Sequence, residues 1–234
     1  MKVVNNARQE ILNIFRESIE KHDLSKVKSI LVLGGPLDEP ELQVLKGLGI
    51  FKICFAGVEE IPGSNWMYLD LNNQNQRISE KFDLVLCSQV LEHVWNTSAA
   101  FSNISGLLNR DGFAWIACPA SNFIHGSPDF YSAGYSREFL DQLSLHNNLE
   151  VLCGGLLSNP RIYLYRHLLN LWPTDFQMKF PLIAYFGVEG TNWKKFIWQF
   201  KTLVRRMVIV SASPKYDSGV AYPIEVWVFC KKSN

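Results

Sequence analysis

Ser88, Gln89, Glu92 and His93 follow one another closely after the apolar run 84–87. That run reads as a buried strand, because it is short and bounded by Asp83 on one side and polar residues on the other. In an open α/β sheet, residues just past the carboxyl end of a strand line the ligand crevice. Four polar groups therefore fall where such a sheet places its chemistry. Glu92 and His93 suit proton transfer, since histidine titrates near neutral pH. They equally suit bracing of the local turn, and both readings stay open. His125 follows the apolar run 113–118 and can converge on the same crevice as a second candidate base. The loop beyond it is rich in turn formers and phenols, and offers Asp129, Tyr131 and Tyr135.

The elements that must position these residues are read from hydrophobic period. Helical spacing runs over 5–21, with Ala7, Ile11, Ile14, Phe15 and Ile19 on one side. Strands are expected at 29–33, 51–55, 66–69, 84–87, 113–118, 149–156 and 224–231. Asp38 or Glu39 can cap a helix with Pro40 in its first turn, which Gly47 or Gly49 closes. A helix spans 99–108, an Asp111-Gly112 turn follows, and Ser136 caps another helix to about residue 145. Strands alternating with helices mean a mostly parallel sheet covered on both faces.

One segment breaks this rhythm. Residues 159–222 are long and aromatic, and a connection of that length must carry its own structure. Helices are expected over 162–171 and 191–208. The second sets Trp193, Phe196, Ile197, Phe200, Val204 and Met207 on one flank and Lys194, Lys195, Lys201, Arg205 and Arg206 around the rest. Such a helix packs on its own domain, forms a homodimer contact, or lies on an anionic membrane surface. The expected organisation is a single domain over 1–234, with 159–222 as an inserted helical cap or interaction segment.

Bulk properties narrow the classes. The 234 residues are 47% hydrophobic and 19% charged, which supports a real core and excludes a disordered chain. The net charge of +1 gives no pull toward nucleic acid. No run reaches the roughly 18 apolar residues that a spanning helix needs. Residues 1–24 are too polar for a signal peptide, so a cytoplasmic protein is expected. Cys54, Cys87, Cys118, Cys153 and Cys230 form no CxxC pair and read as buried reduced thiols.

Residues 82–94, with Leu91-Glu92-His93-Val94 at their end, and residues 107–119 together resemble the class I S-adenosylmethionine (SAM)-dependent methyltransferases. The likeness is to the type 11/23 branch, whose fourth strand ends in a Leu-Glu-His-Val-type signature. The resemblance implies a Rossmann-like seven-stranded, mostly parallel sheet in the order 3-2-1-4-5-7-6, with the last strand antiparallel. It implies SAM as cofactor and methyl transfer to a small-molecule or glycan acceptor as activity, with O-methylation of a sugar, glycan or secondary metabolite favoured. The family's acidic residue and glycine run after the first strand are degenerate here. Val32 stands at the acidic position, Gly34 keeps the first glycine, and Pro36 and Asp38 stand at the later two. Carried over by position, Gly34, Gly35, Pro36, Glu59, Asp70, Leu71, Ser88 and Gln89 would contact the cofactor. Asp129, Tyr131 and Tyr135 would face the acceptor. Some relatives hold a metal through ExxEH, but Gln89 replaces the first carboxylate and an amide contributes no charge, so no metal is expected. Asp38, Glu39 and Glu41 crowd a helix N-terminus that a pyrophosphate would need bare, which argues against NAD and suits a sulfonium. The rival readings are a non-catalytic scaffold or regulatory subunit, and an enzyme of this fold turned to other chemistry.

Overall fold

The computed structural model describes residues 6–233, apart from 36, 48, 50–51, 75, 77, 123–128 and 159–222. Among the described residues, seven strands form one sheet: β1 Ser29–Leu33, β2 Lys52–Gly57, β3 Trp66–Tyr68, β4 Phe82–Ser88, β5 Leu108–Pro119, β6 Leu149–Ser158 and β7 Pro223–Lys232. The helices are α1 Asn6–Glu20, α2 Pro40–Lys46, α3 Thr97–Leu107 and α4 Arg137–His146. Strand order is 3-2-1-4-5-7-6, as the resemblance implied. The first five strands pair in parallel, and β7 runs antiparallel to both its neighbours.

Alternation within each strand divides the core into two layers. Ile30 and Val32 of β1 turn toward Ile11, Phe15 and Ile19 of α1 and Leu42 and Leu45 of α2. Leu31 and Leu33 turn toward Phe101, Ile104 and Leu107 of α3 and Leu140 of α4. Burial on both faces is why the central strands read as unbroken apolar runs.

Helix ends follow local chemistry. Ser136 Oγ accepts from Phe139 N at 3.2 Å and starts α4. Asn96 Oδ1 accepts from Ala99 N at 3.2 Å, so α3 begins at Thr97, two residues before the expected start. Pro40 opens α2, but Glu39 at its N-cap position makes no capping bond. The stretch 109–112 is not the expected turn. β5 runs through it with a register shift against β4, and Asp111 takes φ +60°.

The sheet order reverses between β1 and β4, and a crevice at their carboxyl ends is the usual ligand site of such sheets. Ser158 pairs with Pro223, and Pro119 and Leu157 both pair with Glu225, so β7 begins at this same edge. The expected helices at 162–171 and 191–208 and the insert that contains them lie outside the described residues. No described helix is long and apolar enough to cross a membrane.

Candidate active site

A cleft of about 530 Å³ opens at the carboxyl ends of β1, β2 and β4. It is lined by Gly34 after β1, Ala56 to Glu59 at the end of β2, and Leu69 to Asn72 after β3. Gln89, Val90, His93 and Val94 after β4 complete it, with Asp129 and Tyr131 from the loop after β5. Its size is that of a small-molecule site. Three carboxylates line it, from Glu59, Asp70 and Asp129, and no lysine or arginine appears among its described lining residues. The structure thus brings Gly34, Glu59, Asp70, Leu71, Gln89, His93, Asp129 and Tyr131 together.

Local geometry explains how each is held. Gly34 has φ +61°, and a Cβ there would come within 3.0 Å of Val90 Cγ2. Only glycine lets the chain pass so close to β4 in that conformation. Asp70 Oδ1 accepts from the backbone and side chain of Asn72 at 2.9 and 3.2 Å. Two asparagines at α3 fix this turn. Asn96 N donates to Asn72 Oδ1 at 3.0 Å, and Asn103 Nδ2 donates to the carbonyls of Leu71 and Asn73 at 3.2 and 3.0 Å.

His93 ends a single 3-10 turn, Leu91–His93. Its Nδ1 meets the Asp129 carbonyl, which can only accept, so Nδ1 is the donor, and in a neutral ring the lone pair is on Nε2. The same turn anchors the loop after β5. Tyr131 N and Ser132 N donate to the Glu92 carbonyl at 2.8 and 3.3 Å. Tyr131 Oη donates to Asp129 Oδ1 at 3.3 Å. Desolvation and then the Asp129 carboxylate raise the phenol above its ordinary range, which keeps it a neutral donor.

Other expected site residues point elsewhere. Ser88 Oγ donates to Glu41 Oε1 at 2.8 Å and turns away from the cleft. Glu41 Oε2 accepts from Arg8 at 2.8 Å, and the same arginine nitrogen pairs with Glu39. The acidic turn expected to face a cationic ligand is therefore mostly turned inward. Glu39 and Glu41 are buried against α1, and Asp38, although exposed, does not line the cleft. Gly35 is buried beside this cluster, where a Cβ would come within 2.8 Å of Glu39 Oε2 and 3.0 Å of Val32 Cγ1. Burial and then the Glu41 charge push Glu39 up to about 8. Glu39 therefore keeps its proton through neutral pH.

Glu92 is fully buried and does not line the cleft. Burial first, and the Glu92 carboxylate second, raise the thiols of Cys87 and Cys118. Tyr135 Oη donates to the Leu91 carbonyl at 2.7 Å. Burial raises it to about 12, and it supports the 3-10 turn rather than facing the cleft. Pro36 and His125 lie outside the described residues.

One contact had no sequence signal beyond an acid in an apolar strand. Gln89 Nε2 donates to the buried carboxylate of Glu225 on β7 at 2.9 Å. A second cavity, of about 580 Å³, lies at the opposite edge of the sheet near Lys26, Asp83, Asp111 and Lys231. Its three carboxylates are spent internally, Asp23 accepting from Ser25 N at 3.0 Å. Asp83 accepts from Lys28 N, Ser29 N, Ser29 Oγ and Asn109 Nδ2, and Asp111 pairs with Lys231 at 2.9 Å. It is slightly larger, but it lies at the amino edge of the parallel strands, away from the carboxyl-end crevice where such sheets bind ligands.

Residues 65–116 match the profile of the methyltransferase domain family. No curated protein matches the chain. Solved structures share its fold over nearly the whole length at low identity. One is a protein from Galdieria sulphuraria provisionally assigned as a sarcosine dimethylglycine methyltransferase, with 13% identity over 97% of this chain and 87% of that one and a TM-score of 0.59. Another is a SAM-dependent methyltransferase from Archaeoglobus fulgidus, with 13% identity over 96% and 94% and a TM-score of 0.55. The (4+2)-cyclase SpnF also aligns, with 13% identity over 97% and 82% and a TM-score of 0.55. The fold is that of class I SAM-dependent methyltransferases, and the family signature covers the stretch from β3 into β5.

Proposed function

We propose that this chain is a SAM-dependent methyltransferase that modifies a hydroxyl of a sugar, glycan or other secondary metabolite. The observation that carries the reading is the cleft itself. It sits at the carboxyl ends of the strands, carries acids without a lysine or arginine among its described lining, and has a glycine at φ +61° where a backbone must pass close. That suits a cationic adenosine ligand without phosphate and disfavours a dinucleotide. Bound SAM supplies a methyl group on a sulfonium. Asp70 would accept from the adenine amine, with Leu71 against the ring. Glu59 would accept from the ribose hydroxyls, and Gln89 would meet the methionine end. Asp129 and Tyr131 would orient the acceptor. His93 Nε2 would take the hydroxyl proton as the new carbon–oxygen bond forms, a role its tautomer permits.

Titration calorimetry with S-adenosyl-L-homocysteine tests the cofactor half. The wild type should bind one equivalent. Asp70→Asn keeps the Oδ1 contacts to Asn72 but turns one acceptor into a donor, and should weaken binding about tenfold. A flat wild-type titration would sink the proposal. It would favour the scaffold reading, which is supported by the Ser88 hydroxyl being committed to Glu41.

A further inference from the structure

Asp70 stands at the open edge of the sheet. It follows β3, which among the described strands pairs with β2 alone. Leu69 N donates to the Gly57 carbonyl at 3.0 Å, toward β2. Successive residues of an extended chain present their peptide groups to opposite sides. The N–H and C=O of Asp70 therefore face away from β2, where no described strand meets them. The side chain of Gln76 takes that place. Asp70 N donates to Gln76 Oε1 at 3.3 Å, and Gln76 Nε2 donates to the Asp70 carbonyl at 2.9 Å. A carboxamide carries the donor and the acceptor of a peptide group, and here it uses both on one residue. Gln76 is half-buried and does not line the cleft. Ile78, two residues on, packs against the buried core and anchors the clamp. The Asn72 contacts to the Asp70 carboxylate both go to Oδ1, so Oδ2 is the oxygen available to the cleft.

We infer that Gln76 is a positioning residue for base recognition: its amide stands in for a missing strand, clamps the main chain of Asp70 from the open edge, and so aims the Asp70 carboxylate at the exocyclic amine of the cofactor's base. The inference rests on the cofactor reading above. A single charge-assisted hydrogen bond discriminates only if its acceptor is fixed, because a chain end free to move repays part of the gain in lost entropy. Asn96 and Asn103 hold this turn from the α3 side. Gln76 holds Asp70 itself, through the two peptide groups on either side of its Cα. Loss of the clamp would leave those groups to water and the carboxylate less well aimed, with the rest of the cleft intact.

The test compares S-adenosyl-L-homocysteine with its purine-riboside analogue, which lacks the exocyclic amine and is otherwise identical. In calorimetry with the full chain, the wild type should prefer the amine-bearing ligand about tenfold. Gln76→Ala should weaken that ligand about fivefold or more and leave the analogue within about twofold of the wild type, so the preference shrinks. Gln76→Met keeps the length of the side chain without either hydrogen bond, and it reads the clamp if Gln76→Ala does not fold. In an Asp70→Asn background the same Gln76 changes should alter the preference no further, since the two residues act as one unit. Equal loss for both ligands would mean that Gln76 merely supports the loop, and an undiminished preference in the variants would remove the role. Either result overturns this inference and leaves the cofactor reading standing. If the wild type binds both ligands equally, Asp70 does not read the amine and the clamp has nothing to aim. If it binds neither, the cofactor reading falls and takes this inference with it.

Discussion

Arg8, Glu39 and Glu41 form the densest charge cluster at the carboxyl end of β1, and their stoichiometry is two acids to one base. Ser88 adds a hydrogen bond to Glu41 at 2.8 Å. Glu39 is left as the acid whose charge is hardest to hold, raised by burial and by Glu41 from its ordinary 4.5 to about 8. The sign of the consequence follows from linkage. Between those two values the folded chain binds more protons than the unfolded chain, so stability falls as pH rises across that window. Below it the contribution is fully present, and above about 8 it is lost. Glu39→Gln removes the titration while keeping shape. Chemical denaturation at pH 5, 6.5 and 8.5 should show the variant gaining on the wild type as pH rises. Parallel curves would mean that Arg8 keeps Glu39 ionised throughout. The cluster also bears on the degenerate first loop. Val32 stands where the methyltransferases that this chain resembles carry an acid, yet the Glu39 carboxyl flanks the same glycine as the Val32 side chain.

At the scale of elements, α3 does more than cover the sheet. The Asn96–Asn72 and Asn103–Leu71/Asn73 hydrogen bonds make it the brace of the cleft wall that carries Asp70. Asn103 is buried, so its loss leaves two carbonyls short of a donor. Asn103→Ala should cost about 1–3 kcal/mol. It should also weaken S-adenosyl-L-homocysteine and methylthioadenosine alike, because it loosens the wall proposed above to meet the adenosine that both share. An effect on stability with no effect on either affinity would detach α3 from the site. The sequence revealed the strands and most helix limits, because apolar runs, Pro40 and Ser136 are local signals. It also placed Gly34, Asp70, Gln89 and His93 at strand ends, where the cleft formed. It could not show where Ser88, Glu92 and Tyr135 point. Those directions depend on partners far along the chain: Glu41 for Ser88, and the Leu91 carbonyl for Tyr135. Nor does any period reveal Glu225, whose neighbour Gln89 reaches it only after β7 has inserted between β5 and β6.

The molecule as a whole separates stability from the site. The layer facing α1 and α2 is a continuous apolar packing around Trp115. Its ring lies 5.0 Å from Phe15 and stacks on Trp227 at 5.3 Å, centroid to centroid. Among the described residues, Trp115 Nε1 is buried and finds no acceptor. The cleft meets this layer at none of these side chains. Trp115→Ala should therefore lose about 3–5 kcal/mol of stability through the cavity it leaves. Trp115→Phe loses less volume and also removes the orphaned donor, a relief of about 1–3 kcal/mol, so its net cost should stay under about 1.5 kcal/mol. Both variants should bind S-adenosyl-L-homocysteine as the wild type does wherever they are folded. Equal destabilisation by Phe and Ala would show that the indole nitrogen is satisfied in solution. A fall in affinity for the Phe variant would show that β5 transmits core packing to the cleft, and the two layers would then have to be treated as one mechanical unit.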